Sequence, residues 1–329
     1  MEGGVMATLL TFKPSFYTGE RDLAAIAALI NTCRAADGLE ARTSVPRLQE
    51  NFADPQFELG RDLRLWRDVT GALMAVAQLW RTAPMTNLIA HLQFDIHPQA
   101  RRSDLAAEIV TWAEQQLQQV GQQLNLPTRL HSGCRDSVIE RRDRLEALGF
   151  LPVRYFFKLQ RSLAEPIRVP TLPAGWLCRP INPQQEAAAW VEMFNQSFVD
   201  HWNHHPLTLE EYRYYTNHST YEAALDWVIE SPTGELASFC YSEIDPEWNN
   251  RLGRLEGHVN LLGTRRGYRR QGLAKALLLV SLQQLRERGM AIASISVDAQ
   301  NPSGALGLYQ SVGFQRVKSS TVFEKVVIP

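Results

Sequence analysis

Residues 263–278 read GTRRGYRRQGLAKALL. A strand-like pattern, Leu255 to Thr264, runs into this stretch, and an amphipathic helical pattern leaves it from Gly272 to Arg288. Between them Arg265, Arg266, Arg269 and Arg270 crowd into one short turn. The first turn of a helix leaves backbone N–H groups without partners, and the helix dipole adds positive potential there. Gly272 at that place lets an anion approach the backbone closely, and arginines at the mouth supply charge-assisted bonds. The combination suits a diphosphate. A plain basic loop in front of a helix is the competing reading of the same residues.

Working outward, Gln184 to Phe198 has helical spacing, with Ala187, Trp190, Val191 and Phe194 on one face, and Leu209 to Tyr215 is a second short helix. Leu225 to Glu230 and Leu236 to Ile244 alternate as strands around the turn Pro232-Thr233-Gly234. After the long helix come a strand, Ile292 to Val297, a short helix, Ser303 to Ser311, and a last strand, Thr321 to Val327. The order α-α-β-β-β-α-β-α-β predicts an α/β fold with a mixed sheet flanked by helices.

The first half carries echoes of this unit. Thr70-Gly71 matches Thr233-Gly234 (233 − 70 = 163), Arg101-Arg102 matches Arg269-Arg270 (269 − 101 = 168), and Leu148-Gly149-Phe150 matches Val312-Gly313-Phe314 (312 − 148 = 164). Three matches in order at nearly equal offsets predict a duplicated unit. Pro166, Pro170 and Pro173, with Gly175, mark residues 166–175 as a linker, because such a stretch neither continues a helix nor makes a central strand. The expected domains are therefore 8–165 and 176–329.

Composition excludes several classes. A net charge of -1 gives no general attraction to nucleic acid or membrane. Cys33, Cys134, Cys178 and Cys240 form no CxxC pair, which argues against zinc and against a disulfide framework. The longest apolar stretch, Gly272 to Leu282, is too short for a membrane helix and is broken by Lys275. No secretory apolar segment follows Met1, so a cytoplasmic location is expected.

Arg269-Arg270-Gln271-Gly272-Leu273-Ala274 resembles the R/Q-x-x-G-x-G/A signature of GNAT N-acetyltransferases, with Ala274 where glycine is commoner. Val297 to Pro302, Leu308-Tyr309 and Val312-Gly313-Phe314 resemble the later part of that family. Asp200-His201-Trp202 and Pro206-Leu207-Thr208 extend the likeness to a branch of tandem, mycothiol synthase-like members. The resemblance implies two tandem GNAT-like domains and acetyl-CoA as acyl donor. Backbone groups of Leu262, Gly263 and Thr264 would pair with its pantetheine arm. Amides from Arg269 through Arg270, Gln271, Gly272 and Leu273 to Ala274 would hold the pyrophosphate, and the arginine side chains would reach the ribose phosphate. Asn301 would contact the same molecule, and Tyr309 would protonate the leaving thiolate.

Direct attack by an amine also needs a base. Glu256, His258 and Asn260 share one face of their strand by two-residue periodicity, so Glu256 and His258 are the candidates, with Glu243 on the preceding strand as a third. His201, His204, His205 and Trp202 are candidates for the acceptor side rather than for a metal. In the first half Asp104 stands where Gly272 stands and Leu145 where Tyr309 stands, so that half is expected to keep the fold without binding CoA. The expected function is acetyl transfer to an amine of a small molecule or peptide. The alternative is an inactive CoA-sensing or partner-binding protein of the same fold.

Overall fold

A computed structural model describes residues 11–40, 42–301 and 303–327. The chain forms two units. The first contains β1 (Lys13–Ser15), α1 (Glu20–Ala36), α2 (Val45–Phe52), α3 (Leu59–Asp62), β2 (Leu63–Arg67), β3 (Leu73–Arg81), β4 (Leu88–Ile96), α4 (Leu105–Leu124), β5 (Thr128–Arg135) and α5 (Ile139–Ala147). The second takes nearly all of β6 (Leu151–Ser162), then β7 (Leu177–Pro180), α6 (Pro183–Phe198), α7 (Leu209–Thr216), β8 (Asp226–Glu230), β9 (Leu236–Ile244), α8 (Pro246–Leu252), β10 (Glu256–Thr264), α9 (Leu273–Glu287), β11 (Ile292–Asp298), α10 (Ala305–Ser311) and most of β12 (Gln315–Val327).

Each unit is built on a mixed sheet. In the first the order is β1-β2-β3-β4-β5 followed by the end of β12, and in the second β7-β8-β9-β10-β11-β6. The parallel pairs are β4 with β5 and β10 with β11. The expected α/β architecture is therefore present in both halves. Three elements of the second unit escaped the periodicity reading: β6, β7, which ends in Pro180, and α8, which starts on Pro246 behind an Asp245 cap.

The boundaries differ from those expected at residues 166–175. That stretch is irregular, as its prolines require, but Ile167 and Leu172 pack on the second unit's core. Strand β6 lies upstream of it and pairs with β11 from Ile292↔Ser162 to Asp298↔Phe156. The segment from Phe323 onward belongs to the first unit, where Thr128 donates to the Val327 carbonyl (2.8 Å) and His131 meets Glu324 (3.0 Å). Residues 8–10 of the expected first domain lie outside the described residues.

The element that positions the site is α9. Leu277, Leu278, Leu282 and Leu285 recur at helical spacing and are fully buried against Val259 and Ile295, and Gly289, at φ +79°, follows its end. Each such leucine stabilises the unit by about 1.5–3 kcal/mol. On the other face of the sheet α6 buries Trp190 and Met193 against Phe239. Its start is fixed by Asn182, whose side chain accepts from Gln184 N and Gln185 N, while Thr208 and Glu211 cap α7 reciprocally.

Candidate active site

The turn before α9 has the shape expected of an anion cradle. Arg270 (φ +66°) and Gly272 (φ +83°) both adopt the left-handed conformation on either side of Gln271. Changes of backbone hand of this kind turn successive N–H groups into a concavity that takes anions. Arg270 is the costlier of the two, since left-handed backbone is rare for a residue with a side chain. Gly272 is the N-cap of α9 and offers no side chain to the free amides, and no acidic residue occupies the first turn. A Cβ placed on Gly272 would meet no atom within 4 Å, so the space above it is open. Lys275 also sits in this first turn, a position that opposes the helix dipole unless an anion is present.

The arginines do not all face this cradle. Arg269 donates to Asp200 (2.8 Å), to the Ser197 carbonyl (2.8 Å) and to the Thr264 carbonyl (3.2 Å). Arg266 also pairs with Asp200, and Arg265 is buried near Glu192 and Glu235 (3.5 and 3.4 Å). Both pairings hold the Asp200 carboxyl below its ordinary pKa, Arg269 most strongly. Arg270 is exposed and has no partner among the described residues.

Upstream of the turn β10 and β11 part company. Their parallel pairing runs from Glu256↔Ile292 to Val259↔Ile295 and stops, although β10 continues to Thr264 and β11 to Asp298. On the β9 side the register shifts between Val259 and Leu261, which makes Asn260 a bulge. Leu262, Gly263 and Thr264 thus form one lip of a wedge whose apex is Asn260. Gly263 has a local reason as well, because a Cβ there would lie 2.5 Å from Phe239. Asn301 lies in the loop after β11 and accepts from Ser303 N (2.8 Å); Pro302 is outside the described residues. Tyr309 on α10 is buried edge-on to Phe314 (centroids 6.2 Å apart), and its hydroxyl has no hydrogen-bond partner among the described residues. Burial raises its pKa, so the phenol stays protonated at neutral pH.

The polar face of β10 divides its candidates. Glu256 is 5% exposed and enclosed by Lys158 (2.6 Å), Gln160 (3.0 Å) and Arg254 (2.8 Å). Burial works to raise its pKa, but hydrogen bonds from Lys158 and Ser294 and the Arg254 charge hold it below the ordinary value. Its oxygens are committed to structural partners, so the geometry argues against Glu256 as the base. His258 has Nδ1 2.9 Å from Ser294 Oγ, and burial, with Lys158 nearby, pushes its pKa down to about 4. Glu243 lies opposite His258 across β9 and β10 and accepts from the Asn260 amide at the bulge. Neither Lys158 nor Gln160 was foreseeable as a partner, since both lie before the proline-rich stretch.

Trp202 lies 6.2 Å from Phe156, with the Arg154 guanidinium 5.5 Å above its ring. His201 and His205 turn Nδ1 to local carbonyls, of Trp202 (2.9 Å) and Asn203 (3.2 Å). No group of three His, Cys, Asp or Glu side chains among the described residues is arranged to hold a metal.

In the first unit the corresponding strand ends are bridged by a side chain. The β4–β5 pairing stops at His91↔His131, and Arg141 from α5 crosses the gap beyond it. It donates to the Phe94 carbonyl of β4 (2.8 Å) and the Gly133 carbonyl of β5 (3.1 Å) and stacks on the Phe94 ring (4.4 Å). Asp104 is the N-cap of α4, as Gly272 is of α9, but its carboxylate makes no cap hydrogen bond; Ser103 accepts from Leu105 N instead (3.4 Å). Glu108 adds an acid to that first turn, and Leu145 is buried at the Tyr309 position.

Residues 248–328 match the acetyltransferase (GNAT) domain model, and the second unit carries a GNAT domain, a family that uses acetyl-CoA. The chain is 29% identical over 168 residues to a mycothiol acetyltransferase of Thermobispora bispora, an alignment covering 51% of this chain and 56% of that protein. The match therefore spans little more than half of that relative. It is 27% identical over 307 residues to the mycothiol acetyltransferase of Acidothermus cellulolyticus, covering 91% of this chain and 89% of the relative. In fold it is similar to a GCN5-related N-acetyltransferase from Sphaerobacter thermophilus (TM-score 0.75, 23% identity, 97% of this chain and 96% of that one). It is also similar to a tandem GNAT protein from the clavulanic acid biosynthesis pathway (TM-score 0.69, 16% identity, 97% and 99% covered).

Proposed function

We propose that the chain is an acetyl-CoA-dependent N-acetyltransferase whose reaction takes place in the second unit, by direct attack of a small-molecule or peptide amine. The observation that carries this reading is the end of the β10–β11 pairing at Val259, next to the Asn260 bulge, on the strand that leads into the left-handed Arg270 and Gly272 before α9. The amides of Arg269 to Ala274 are assigned to the pyrophosphate and Arg270 to the remaining phosphate. The backbone of Leu262, Gly263 and Thr264, beyond the end of the β11 pairing, is assigned to the pantetheine arm as an added strand would be, and Asn301 is assigned to the opposite lip. Bound acetyl-CoA supplies the thioester. Tyr309 holds the proton for the departing sulfur, and the polar face with His258 receives the acceptor. Likeness to mycothiol acetyltransferases favours a small polar amine. The first unit is a scaffold that binds no CoA.

Calorimetry with CoA and thiol release from acetyl-CoA test this, with glucosamine, ethanolamine and lysine methyl ester as acceptor probes. One CoA per chain is expected. Tyr309→Phe should keep that binding and lose about 100-fold in turnover. Two equivalent CoA sites would refute the assignment to one unit. Tight CoA binding without turnover across wider amine panels would favour the sensing alternative.

A further inference from the structure

We infer that Glu243 is a catalytic residue on the acceptor side: its carboxylate binds the incoming ammonium group and takes its proton. The inference rests on the acyl-transfer reading above. It starts from the apex of the wedge. An arm anchored at Gly272 and lying along Thr264 to Leu262 must end where β10 and β11 rejoin, and that place is Asn260. Glu243 accepts from the Asn260 side chain, so its carboxylate stands beside the apex. It also lies on the correct face. Ser242 turns towards α9, where it bonds Ser281, so Glu243 projects to the opposite side by strand alternation, with His258 as its cross-strand neighbour.

Glu243 is half-exposed and has no cationic partner among the described residues. An accessible carboxylate with one neutral donor attracts a cation and still has lone pairs to give. Its neighbours are less suited. Glu256 is surrounded by Lys158, Gln160 and Arg254, and His258 is held by Ser294 beside the Lys158 charge. The first unit shows that the scaffold does not ask for an acid here. Trp80 pairs with His91 as Glu243 pairs with His258, and Trp80 stacks on Phe57 (4.2 Å), with no register shift in its strand pair.

The substrate class follows: a primary amine that arrives protonated. The ammonium gives one proton to Glu243. The freed lone pair forms the C–N bond as the C–S bond breaks, and Tyr309 protonates the sulfur. The amine's second proton replaces the one lost by Tyr309. An ammonium and a thioester thus become an amide and a thiol, with one proton left on Glu243 for water.

Glu243→Gln and Glu243→Asp are compared with wild type, using ethanolamine, protonated at neutral pH, and hydroxylamine, which is largely unprotonated there. For Glu243→Gln, turnover of ethanolamine should fall by about 100- to 10,000-fold. The loss with hydroxylamine should be smaller, CoA affinity by calorimetry should be unchanged, and Glu243→Asp should recover part of the rate. Equal losses on both amines, or an unchanged rate with ethanolamine, would overturn the assignment of Glu243 and leave the acyltransferase reading intact. A wild-type chain that binds no CoA would remove both.

Discussion

Arg101 in the first unit and Arg269 in the second make the same three kinds of contact. Arg101 reaches the carbonyl at the end of β4, Ile96 (3.3 Å), a carbonyl of α1, Cys33 (3.4 Å), and the carboxylate of Asp37 (2.6 Å). Arg269 reaches Thr264 at the end of β10, Ser197 of α6, and Asp200. The numbers keep step: 264 − 96 and 269 − 101 are both 168, 197 − 33 is 164 and 200 − 37 is 163. A contact kept in the unit whose strand ends are bridged by Arg141 and whose helix start is acidic belongs to the scaffold, joining strand end to helix. The side chain of Arg269 is therefore a clasp and not a phosphate ligand. What differs is Gly272 against Asp104, Tyr309 against Leu145, a register shift against a regular strand pair, and Arg141 across the first unit's strand ends, and the proposed function rests on these differences.

Grafting the first unit's helix start onto the second is the severest test. Gly272→Asp brings a carboxylate to the free amides and a side chain to a backbone at φ +83°. We expect CoA binding to fall by more than about 100-fold, to zero sites by calorimetry. A remaining site would locate CoA elsewhere and break the comparison. The reverse change is gentler. Arg141→Ala strands the Phe94 and Gly133 carbonyls and should destabilise the first unit by about 3 kcal/mol. Faster amide exchange across residues 88–96 is the measurement. CoA stoichiometry should stay at one, since Asp104 and Glu108 still occupy the start of α4.

Much of this was readable in advance for physical reasons. Leu236 to Ile244 alternates cleanly because one strand face packs on α9 and the other on α6, so its limits agree with those read from the sequence. The turn at Arg265 to Gly272 was legible because a glycine and the want of an acid at a helix start are local facts. The exchange of β6 and the chain's last residues between units was not, since partner choice between strands is decided by contacts far apart in sequence. Glu256 shows the same limit: its cation, Lys158, is 98 residues away. The Asn260 bulge was hidden because one extra residue hardly disturbs a two-residue period. Arg101 with Asp37 and Arg269 with Asp200 recur at the duplication offset, a signal that could have revealed the clasp.

A smaller effect separates the two cores. Leu63 and Asp226 open the equivalent strands β2 and β8, paired with Gln78 and Tyr241. Leu63 is fully buried without cost, but Asp226 is 1% exposed; Tyr221 donates to one oxygen (3.2 Å), and the other has no hydrogen-bond partner among the described residues. Burial raises its pKa to about 7, against the pull of Tyr221. A folded-state value above the unfolded one, roughly 3.9, means stability present below about pH 4 and lost as pH rises through about 7. Asp226→Asn should therefore match wild type near pH 4 and exceed it by roughly 2 kcal/mol at pH 8. Amide exchange in β8 and β9 at the two values measures this, and an Asn variant with the wild-type pH trend would move the titration to another group.

The smallest expected change tests the clasp itself. Asp200 neutralises Arg266 and Arg269 beside the turn before α9, and in the proposed complex it would compete with the phosphates of CoA for Arg266. In Asp200→Asn, Arg269 keeps its two carbonyl partners and so keeps its place, while Arg266, already exposed, is released. Affinity for CoA should rise about threefold at low ionic strength and the gain should shrink as salt is added, because the charges involved lie at the surface. A fall in affinity would mean that Asp200 holds the arginines in a binding posture, and the two clasps would then differ in purpose after all. Asp37→Asn is the matching control: with no cradle beside Arg101, it should leave CoA affinity unchanged while loosening the end of β4.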